Sequence, residues 1–164
     1  MLLSSILGSC RSESSGGGSK DPLAGLLVGA WRTQVQFSGG ALASVHDLEF
    51  MYVFNSGGTM TESSNYDAAP PVPPAYGIWR YTSHNQFEAK YEFYVTKPPS
   101  TLDEIKQGSG WLPAGRGILT EKITLSADAN SYTSTIKLEM FDINGKAAEG
   151  GGGDAEGHGV RMKF

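Results

Sequence analysis

Glu62 is the residue whose type and surroundings most directly suggest chemistry. It lies in residues 59–66, a segment in which one face carries Met60, Glu62, Ser64 and Tyr66. If this face turns into a closed interior, the carboxyl group has a raised pKa and can bind or move a proton. If the face turns outward, Glu62 is solvated and has no such role. The pattern is compatible with both orientations, and Glu62 is the one catalytic candidate that we draw from it.

Aromatic residues on the neighbouring segments supply the rest of a candidate binding site. An apolar pocket with a few polar tips is the usual composition of a small-molecule site. Arg80 is a candidate counter-ion for Glu62. The same aromatic residues would serve equally well as plain core, so both interpretations stay open. The ligand-binding candidates are Tyr52, Met60, Glu62, Tyr66, Trp79, Arg80 and Tyr91.

The remaining polar residues do not form a pattern that is typical of a metal or cofactor site. His46, His84 and His158 are too far apart in the sequence to form a metal motif. His158 lies near the start of the last predicted strand and could reach the barrel mouth. Asp128 and Asp142 occur in sequences that suit hairpin turns rather than calcium loops. We therefore expect no metal and no cofactor.

Segments of alternating residues must position these side chains, and they are typical of strands. Period-two alternation indicates a strand with one buried face. In the clearest example, Phe87, Ala89, Tyr91, Phe93 and Val95 share one face. The predicted strands are residues 29–38, 48–55, 59–66, 76–82, 86–95, 118–126, 131–141 and 158–164.

Turn-forming sequences separate these strands, and long helical patterns are missing. Four prolines make residues 67–75 a stiff connector, and residues 98–115 interrupt the strands. Within that interruption, Thr101 and Glu104 match a capping box and predict a short helix that ends at Gly108. A helical turn near residues 23–28, capped by Asp21, would plug one barrel end. The pattern predicts an all-β fold, a closed antiparallel up-and-down barrel of about eight strands with a short helical excursion near residues 101–108.

The length of the chain indicates one domain, and its charge argues against one class of partner. The 164 residues suit one barrel domain, which we place at residues 28–164. Only 18% of the residues are charged and the formal net charge is −4, so no basic stripe for a phosphate backbone is visible. We therefore expect no nucleic-acid partner.

Two short motifs resemble known barrel families. Gly29-Ala30-Trp31, together with Arg161 near the end of the chain, resembles the calycins, which include lipocalins and fatty-acid-binding proteins. That resemblance implies a structural role in which Arg161 covers the Trp31 indole and closes the barrel seam. The sequences at residues 58–62 and 77–79 resemble bacterial proteins of the allene oxide cyclase-like barrel group, which implies the same eight-stranded shape. This second resemblance does not assign catalytic residues to the chain.

Cys10 is the only cysteine, and its surroundings resemble another known signal. Leu7-Gly8-Ser9-Cys10 follows an apolar start and precedes a Ser/Gly-rich polar run. This resembles the processing site of a bacterial lipoprotein signal peptide. The resemblance implies that Cys10 carries a lipid, that residues 1–27 are signal and tether, and that the barrel lies in the cell envelope on the extracytoplasmic side of a membrane. The alternative is a free thiol in the tail of a cytoplasmic protein.

Three functions stay open at this level. The first is a lipid-anchored, lipocalin-like barrel that binds a small apolar or amphipathic molecule without catalysis. The second is an isomerase or cyclase that confines its substrate in the lumen, with Glu62 as acid or base. The third is a protein-interaction module that uses Trp111 and the proline-rich connector. An open or filled interior is the observation that most directly separates them.

Overall fold

The computed structural model describes residues 22–66, 72–106 and 110–164. Residues 1–21 of the predicted signal and tether segment, with Cys10 and Asp21, lie outside these residues, as does most of the proline-rich connector. A 3₁₀ turn at Pro22–Gly25 and a short helix, α1, at Leu102–Lys106 accompany eight strands. The strands are β1 (Gly29–Phe37), β2 (Leu48–Phe54), β3 (Thr59–Ser64), β4 (Ala75–Ser83), β5 (Gln86–Lys97), β6 (Leu112–Leu125), β7 (Ser131–Asp142) and β8 (Gly153–Arg161).

Each strand pairs antiparallel with the next, and β8 pairs with β1 to close the barrel. In the closing pair, Trp31 lies opposite Arg161 and Phe37 lies opposite Ala155. The predicted fold class, an antiparallel up-and-down barrel of eight strands, is therefore confirmed. Closure removes the free sheet edges that an open meander of these strands would expose.

Alternating side chains form the core of the barrel. On β2, Leu48, Phe50, Tyr52 and Phe54 point inward and are buried, as period-two alternation requires. Met51 and its outward neighbour Val53 are exposed, although both are apolar. The strand that is apolar on both faces therefore still has only one buried face.

One end of the barrel is closed by the N-terminal turn and by Arg161. Leu27 is fully buried there, and its carbonyl accepts a hydrogen bond of 2.9 Å from the Trp31 indole nitrogen. The Arg161 guanidinium carbon lies 4.2 Å from the centroid of the Trp31 ring. The same guanidinium donates to the carbonyl groups of Leu26, Val28 and Ala129. These contacts join the two ends of the barrel seam.

The connections β1–β2, β3–β4, β5–β6 and β7–β8 lie at the opposite end, which we call the loop end. Helix α1 lies in the β5–β6 connection and has the predicted capping box. The Glu104 backbone N–H donates to Thr101 Oγ1 over 3.2 Å, and the Thr101 N–H donates to Glu104 Oε2 over 3.2 Å. Gly108, the predicted end of the helix, lies outside the described residues. Neither the 3₁₀ turn nor α1 is long and apolar enough to cross a membrane as a helix.

Several predicted strand boundaries were wrong where glycine or proline occupies a strand. β6 begins at Leu112 rather than residue 118, and β8 begins at Gly153 rather than residue 158 and ends at Arg161. Glycines at inward positions leave no side chain from which alternation can be read. In their place, rings from the facing strand fill the volume. A Cβ on Gly159 would lie 2.3 Å from the Tyr132 ring, and one on Gly117 would lie 2.3 Å from the Phe93 ring.

Candidate functional site

Two carboxylic acids project into the interior of the barrel. Glu62 on β3 is 7% exposed and lies opposite Tyr52 in the β2–β3 register. Glu121 on β6 is 1% exposed and lies opposite Ala89 and Ile136. Because strand alternation turns every second residue inward, each glutamate occupies a position that its own strand otherwise fills with apolar side chains. Buried carboxylates are rare unless they are paired or have a function.

Tyrosine hydroxyl groups connect to Glu121. The hydroxyl groups of Tyr52 and Tyr91 are 2.8 Å apart and share a hydrogen bond. Tyr91 also donates to Glu121 Oε2 over 3.1 Å. A second hydroxyl pair, Thr33 and Tyr132, lies 2.6 Å apart in the same interior. We call the interior polar group formed by Thr33, Tyr52, Glu62, Tyr91, Glu121, Tyr132 and Ser134 the polar core cluster.

Three buried atoms of this cluster make no hydrogen bond of normal geometry among the described residues, although Ser134 and Glu121 lie near each other. They are Oε1 of Glu62, Oε1 of Glu121 and Oγ of Ser134. Ser134 is 6% exposed, so all three side chains are more than nine-tenths buried. An unsatisfied buried polar atom costs about 1–3 kcal/mol of desolvation, and native structures contain few of them. Three on the inner wall of one barrel indicate a place where something polar can bind.

Burial sets the protonation of the two acids. Desolvation first and the charge of Glu121 second raise the pKa of Glu62 from 4.5 to about 8. Desolvation also raises the pKa of Glu121, and the hydroxyl groups of Ser134, Tyr52 and Tyr91 partly oppose that rise. Glu62 is therefore mostly protonated at neutral pH. It can donate or accept a proton in the range where biological reactions run.

The tyrosines of the cluster remain neutral. Burial is the main reason that the pKa values of Tyr52, Tyr91 and Tyr132 lie well above 10.0, and the charge of Glu121 is the second. They therefore act as hydroxyl donors and acceptors rather than as phenolates.

The interior charge has one sign in the part of the chain that the structure covers. The buried polar or charged side chains there are Thr33, Glu62, Glu121 and Ser134. Both ionisable members of this set are acids, and no lysine, arginine or histidine joins them. The two carboxyl groups therefore face each other's charge without a basic counter-ion.

Side chains fill most of the barrel interior. The inward aliphatic and aromatic residues of the core are at most 7% exposed. Rings close over the inward glycines at contact distance, as Tyr132 does over Gly159. Phe93 and Met140, near the loop end, are only partly buried and pack against the core. The larger cavities are lined by consecutive strand residues, in which outward side chains such as Lys122 alternate with inward ones such as Glu121 and Ser134. A ligand of the interior must therefore be small or must displace side chains at the loop end.

Four of the residues predicted for binding point into the interior. Tyr52, Met60, Glu62 and Tyr91 are all buried. Tyr52, Glu62 and Tyr91 interact with one another through hydrogen bonds or charge. Trp79 is partly buried, and its indole nitrogen donates to the Asn55 and Thr59 carbonyl groups of the β2–β3 hairpin.

Arg80 and Tyr66 do not belong to this group. Arg80 points outward and donates to Glu88 Oε2 from Nε over 3.0 Å, so it is not a counter-ion for Glu62. The side-chain direction of β4 explains this, because Trp79 and its neighbour Tyr81 face inward and Arg80 alternates with them. Tyr66 lies two residues beyond the end of β3 and is exposed, so it does not share the inward face of Glu62.

Glu121 was not predicted, although the sequence contains the signal. It lies between Leu119 and Ile123 at period two, so a strand that buries these two residues must also bury the glutamate. Ser134 and Tyr132 share an inward face of β7 in the same way. A single acid in an otherwise apolar row is therefore the feature to look for in such sequences.

The other polar candidates are distant from the interior. His158 is exposed on the outer wall, where it lies opposite Gln34 and Thr133. Within residues 22–66, 72–106 and 110–164, no group of three or more histidine, cysteine, aspartate or glutamate side chains could hold a metal ion. Trp111, the candidate for a protein contact, is about half exposed. No protein-family model, no curated protein and no solved structure matches the chain.

Proposed function

We propose that this protein is a calycin-type carrier that binds a small apolar or amphipathic molecule through the polar core cluster, without catalysis. The observation that carries the proposal is the set of three buried and unpartnered acceptor atoms on Glu62, Glu121 and Ser134. A ligand that donates hydrogen bonds to these atoms would remove their desolvation cost. The surrounding tyrosine and phenylalanine rings would cover its apolar part.

Entry from the loop end is the simplest route to this site. Glu62 lies in the half of β3 that leads to that end, and it is the more exposed of the two acids. Phe93 and Met140 are the partly buried residues that would have to change rotamer as the ligand enters. At the other end, the contacts of Arg161 with Trp31 and three carbonyl groups close the barrel.

The cellular location is part of the same proposal. The lipoprotein-like sequence that ends at Cys10 favours a carrier that is tethered to the outer face of a membrane by a lipid on that residue. Mass spectrometry of the N-terminal peptide from the membrane fraction tests this directly. Processed, acylated Cys10 supports the location, whereas an unmodified chain in the soluble fraction contradicts it.

Binding can be tested with protein purified from its host and with a neutral apolar probe. Native mass spectrometry should reveal a retained molecule, and Nile red should bind saturably with one molecule per barrel. Ser134→Leu, which places a larger apolar side chain next to Glu121, should abolish binding while its circular dichroism spectrum stays that of a β-protein. Glu156→Gln, on the outer wall, should bind as the wild type does. Absence of both a retained molecule and saturable binding would contradict the proposal.

An isomerase or cyclase is the second candidate, and one specific observation favours it. The pKa of Glu62 is raised to about 8 by burial, which suits a group that must both hold and release a proton near neutral pH. The hydroxyl groups of Tyr52 and Tyr91 would supply donors beside it. On a substrate identified by the binding experiment, Glu62→Gln should lower turnover by about 10²-fold or more. Unchanged turnover would remove this role from Glu62.

A further inference from the structure

We propose that the polar core cluster recognises a small molecule by a cationic primary amine, which binds between the carboxyl groups of Glu62 and Glu121. This inference rests on the proposed function, since it names the chemical class of the ligand for the same site. It goes further in one respect, because a general apolar carrier needs no particular charge on its ligand.

The number and type of unpartnered atoms match an ammonium group. Oε1 of Glu62, Oε1 of Glu121 and Oγ of Ser134 are all able to accept a hydrogen bond, and none makes one of normal geometry among the described residues. The Ser134 hydroxyl lies near Glu121 and lowers the pKa of that carboxyl group. A primary ammonium carries three N–H donors and no acceptor. A neutral alcohol brings one donor, so it would leave two of these atoms unsatisfied. A carboxylate brings only acceptors and would face two acids.

The charge of the interior points to the same class of ligand. Glu62 and Glu121 are the charged residues among the buried side chains that the structure describes, and both are acids. Each raises the cost of ionising the other, as the effect of Glu121 on Glu62 shows. A cation between them would reverse this repulsion into two attractions at low dielectric. On the outer wall, by contrast, Arg80 forms an exposed ion pair with Glu88.

Aromatic rings supply the remaining contacts. Tyr52 and Tyr91 meet edge to face with their ring centroids 5.7 Å apart, and Tyr52 stacks on Phe54 at 5.5 Å. A cation beside such rings gains further attraction from their negative faces, and more so when it is desolvated. The alkyl part of the amine would pack on the apolar side chains that flank the cluster.

Proton release accompanies binding in this scheme. The titratable groups that interact with Glu62 are Glu121 on β6, Tyr52 on β2 and Tyr91 on β5, and none of them is a base. The ammonium donates to an ionised Glu62, so a Glu62 carboxyl that is protonated in the free protein must lose its proton to solvent when the amine binds. The amine keeps its own three protons. Affinity for the amine should therefore increase as pH rises from 6 towards 8, whereas affinity for a neutral ligand should not.

Matched ligands test the inference by isothermal titration calorimetry. Butylamine, 1-butanol and butyrate have the same chain length and differ in the charge and donors of one end. We expect butylamine to bind at least 10-fold more tightly than 1-butanol at pH 8, and butyrate not to bind. The butylamine affinity should fall about 50-fold between pH 8 and pH 6, because a carboxyl group with a pKa of about 8 is half ionised at pH 8 and about 1% ionised at pH 6. Titrations at pH 6 in buffers of different ionisation enthalpy should reveal about one released proton.

Two variants distinguish binding at the polar core cluster from nonspecific binding. Glu62→Gln keeps the shape of the protonated side chain, and it should reduce butylamine affinity at least 10-fold and remove the pH dependence. Glu156→Gln makes the same substitution on the outer wall. It should leave the butylamine affinity and its pH dependence unchanged. If 1-butanol binds as tightly as butylamine, or Nile red binds and butylamine does not, the inference is overturned while the proposed function stands. If neither these ligands nor Nile red binds, both are overturned.

Discussion

Glu62→Gln should make the protein more stable, and by an amount that depends on pH. Because the pKa of Glu62 is raised from 4.5 to about 8, the folded state keeps a proton that the unfolded state loses. Below pH 4.5 Glu62 is protonated in both the folded and the unfolded state, so its ionisation does not change the free energy of unfolding. Between pH 4.5 and about 8 the free energy of unfolding falls as pH rises, by about 1.4 kcal/mol per pH unit. The loss is about 3 kcal/mol at pH 7 and about 4 kcal/mol at pH 8.

Urea denaturation from pH 4.5 to pH 8.5 measures this effect. Glutamine has the shape of the protonated carboxyl group but cannot ionise, so wild type and variant should have similar stability near pH 4.5. The difference should then grow steadily and reach about 4 kcal/mol at pH 8. For a urea m-value of about 2 kcal/mol/M, that is a shift of roughly 2 M in the midpoint. Glu121 remains in the variant, so some pH dependence should persist.

If the free energies of unfolding of the wild type and of Glu62→Gln differ by the same amount at every pH, this reasoning is refuted. That result would mean that Glu62 titrates as an ordinary surface carboxyl and does not occupy the interior position that its burial indicates. Glu156→Gln provides the matched control, because it removes one carboxylate from an exposed position on β8. A pH-dependent gain of the same size in this control would assign the effect to net charge rather than to burial.

Two further predictions concern the packing of the barrel. Gly159→Ala should destabilise the fold by about 1–3 kcal/mol in urea denaturation, because the new Cβ would lie 2.3 Å from the Tyr132 ring. Gly57→Ala, whose Cβ would meet no atom within 4 Å, should change stability by less than about 0.5 kcal/mol, and equal effects would contradict the packing argument. Arg161→Lys should lower the free energy of unfolding by about 2 kcal/mol, since lysine keeps the charge but loses the planar fork that donates to three carbonyl groups. A lysine variant with wild-type stability would show that charge alone closes the seam.

The architecture was largely predictable because most strands carry a complete alternation. On β5, Phe87, Ala89 and Tyr91 share the buried face that the sequence assigned to them. The prediction was wrong where glycine occupied inward positions. In β8 the inward row is Gly153, Ala155, Gly157 and Gly159, and its packing partners are large side chains of other strands that sequence periodicity does not show.

The candidate site was only partly predictable, for a different physical reason. Alternation shows which residues share a face, but it does not show which face is inside when both contain polar residues. On β3 this ambiguity was settled by Met60, which is buried on the same face as Glu62. On β4 it led to Arg80, which the structure places on the outer wall beside Glu88. Contacts such as Tyr91 with Glu121 cross between strands, and their geometry depends on a register that the sequence alone does not specify.

Two buried acids are difficult to explain as a means of holding the barrel together. A domain of this size has a net stability of about 5–15 kcal/mol, so a loss of about 3 kcal/mol at pH 7 from Glu62 alone is a substantial fraction. Leucine or methionine would occupy a similar volume without that cost, and replacing buried ionic groups by apolar ones is often neutral or stabilising. Glu121 accepts one hydrogen bond of normal geometry, from Tyr91, and the hydroxyl groups of Ser134 and Tyr52 lie near it, so the hydrogen-bond network offsets only part of the cost. A bound cation would offset it at both carboxyl groups at once. The energetic disadvantage of Glu62 and Glu121 in the empty barrel is therefore itself a reason to look for a cationic occupant.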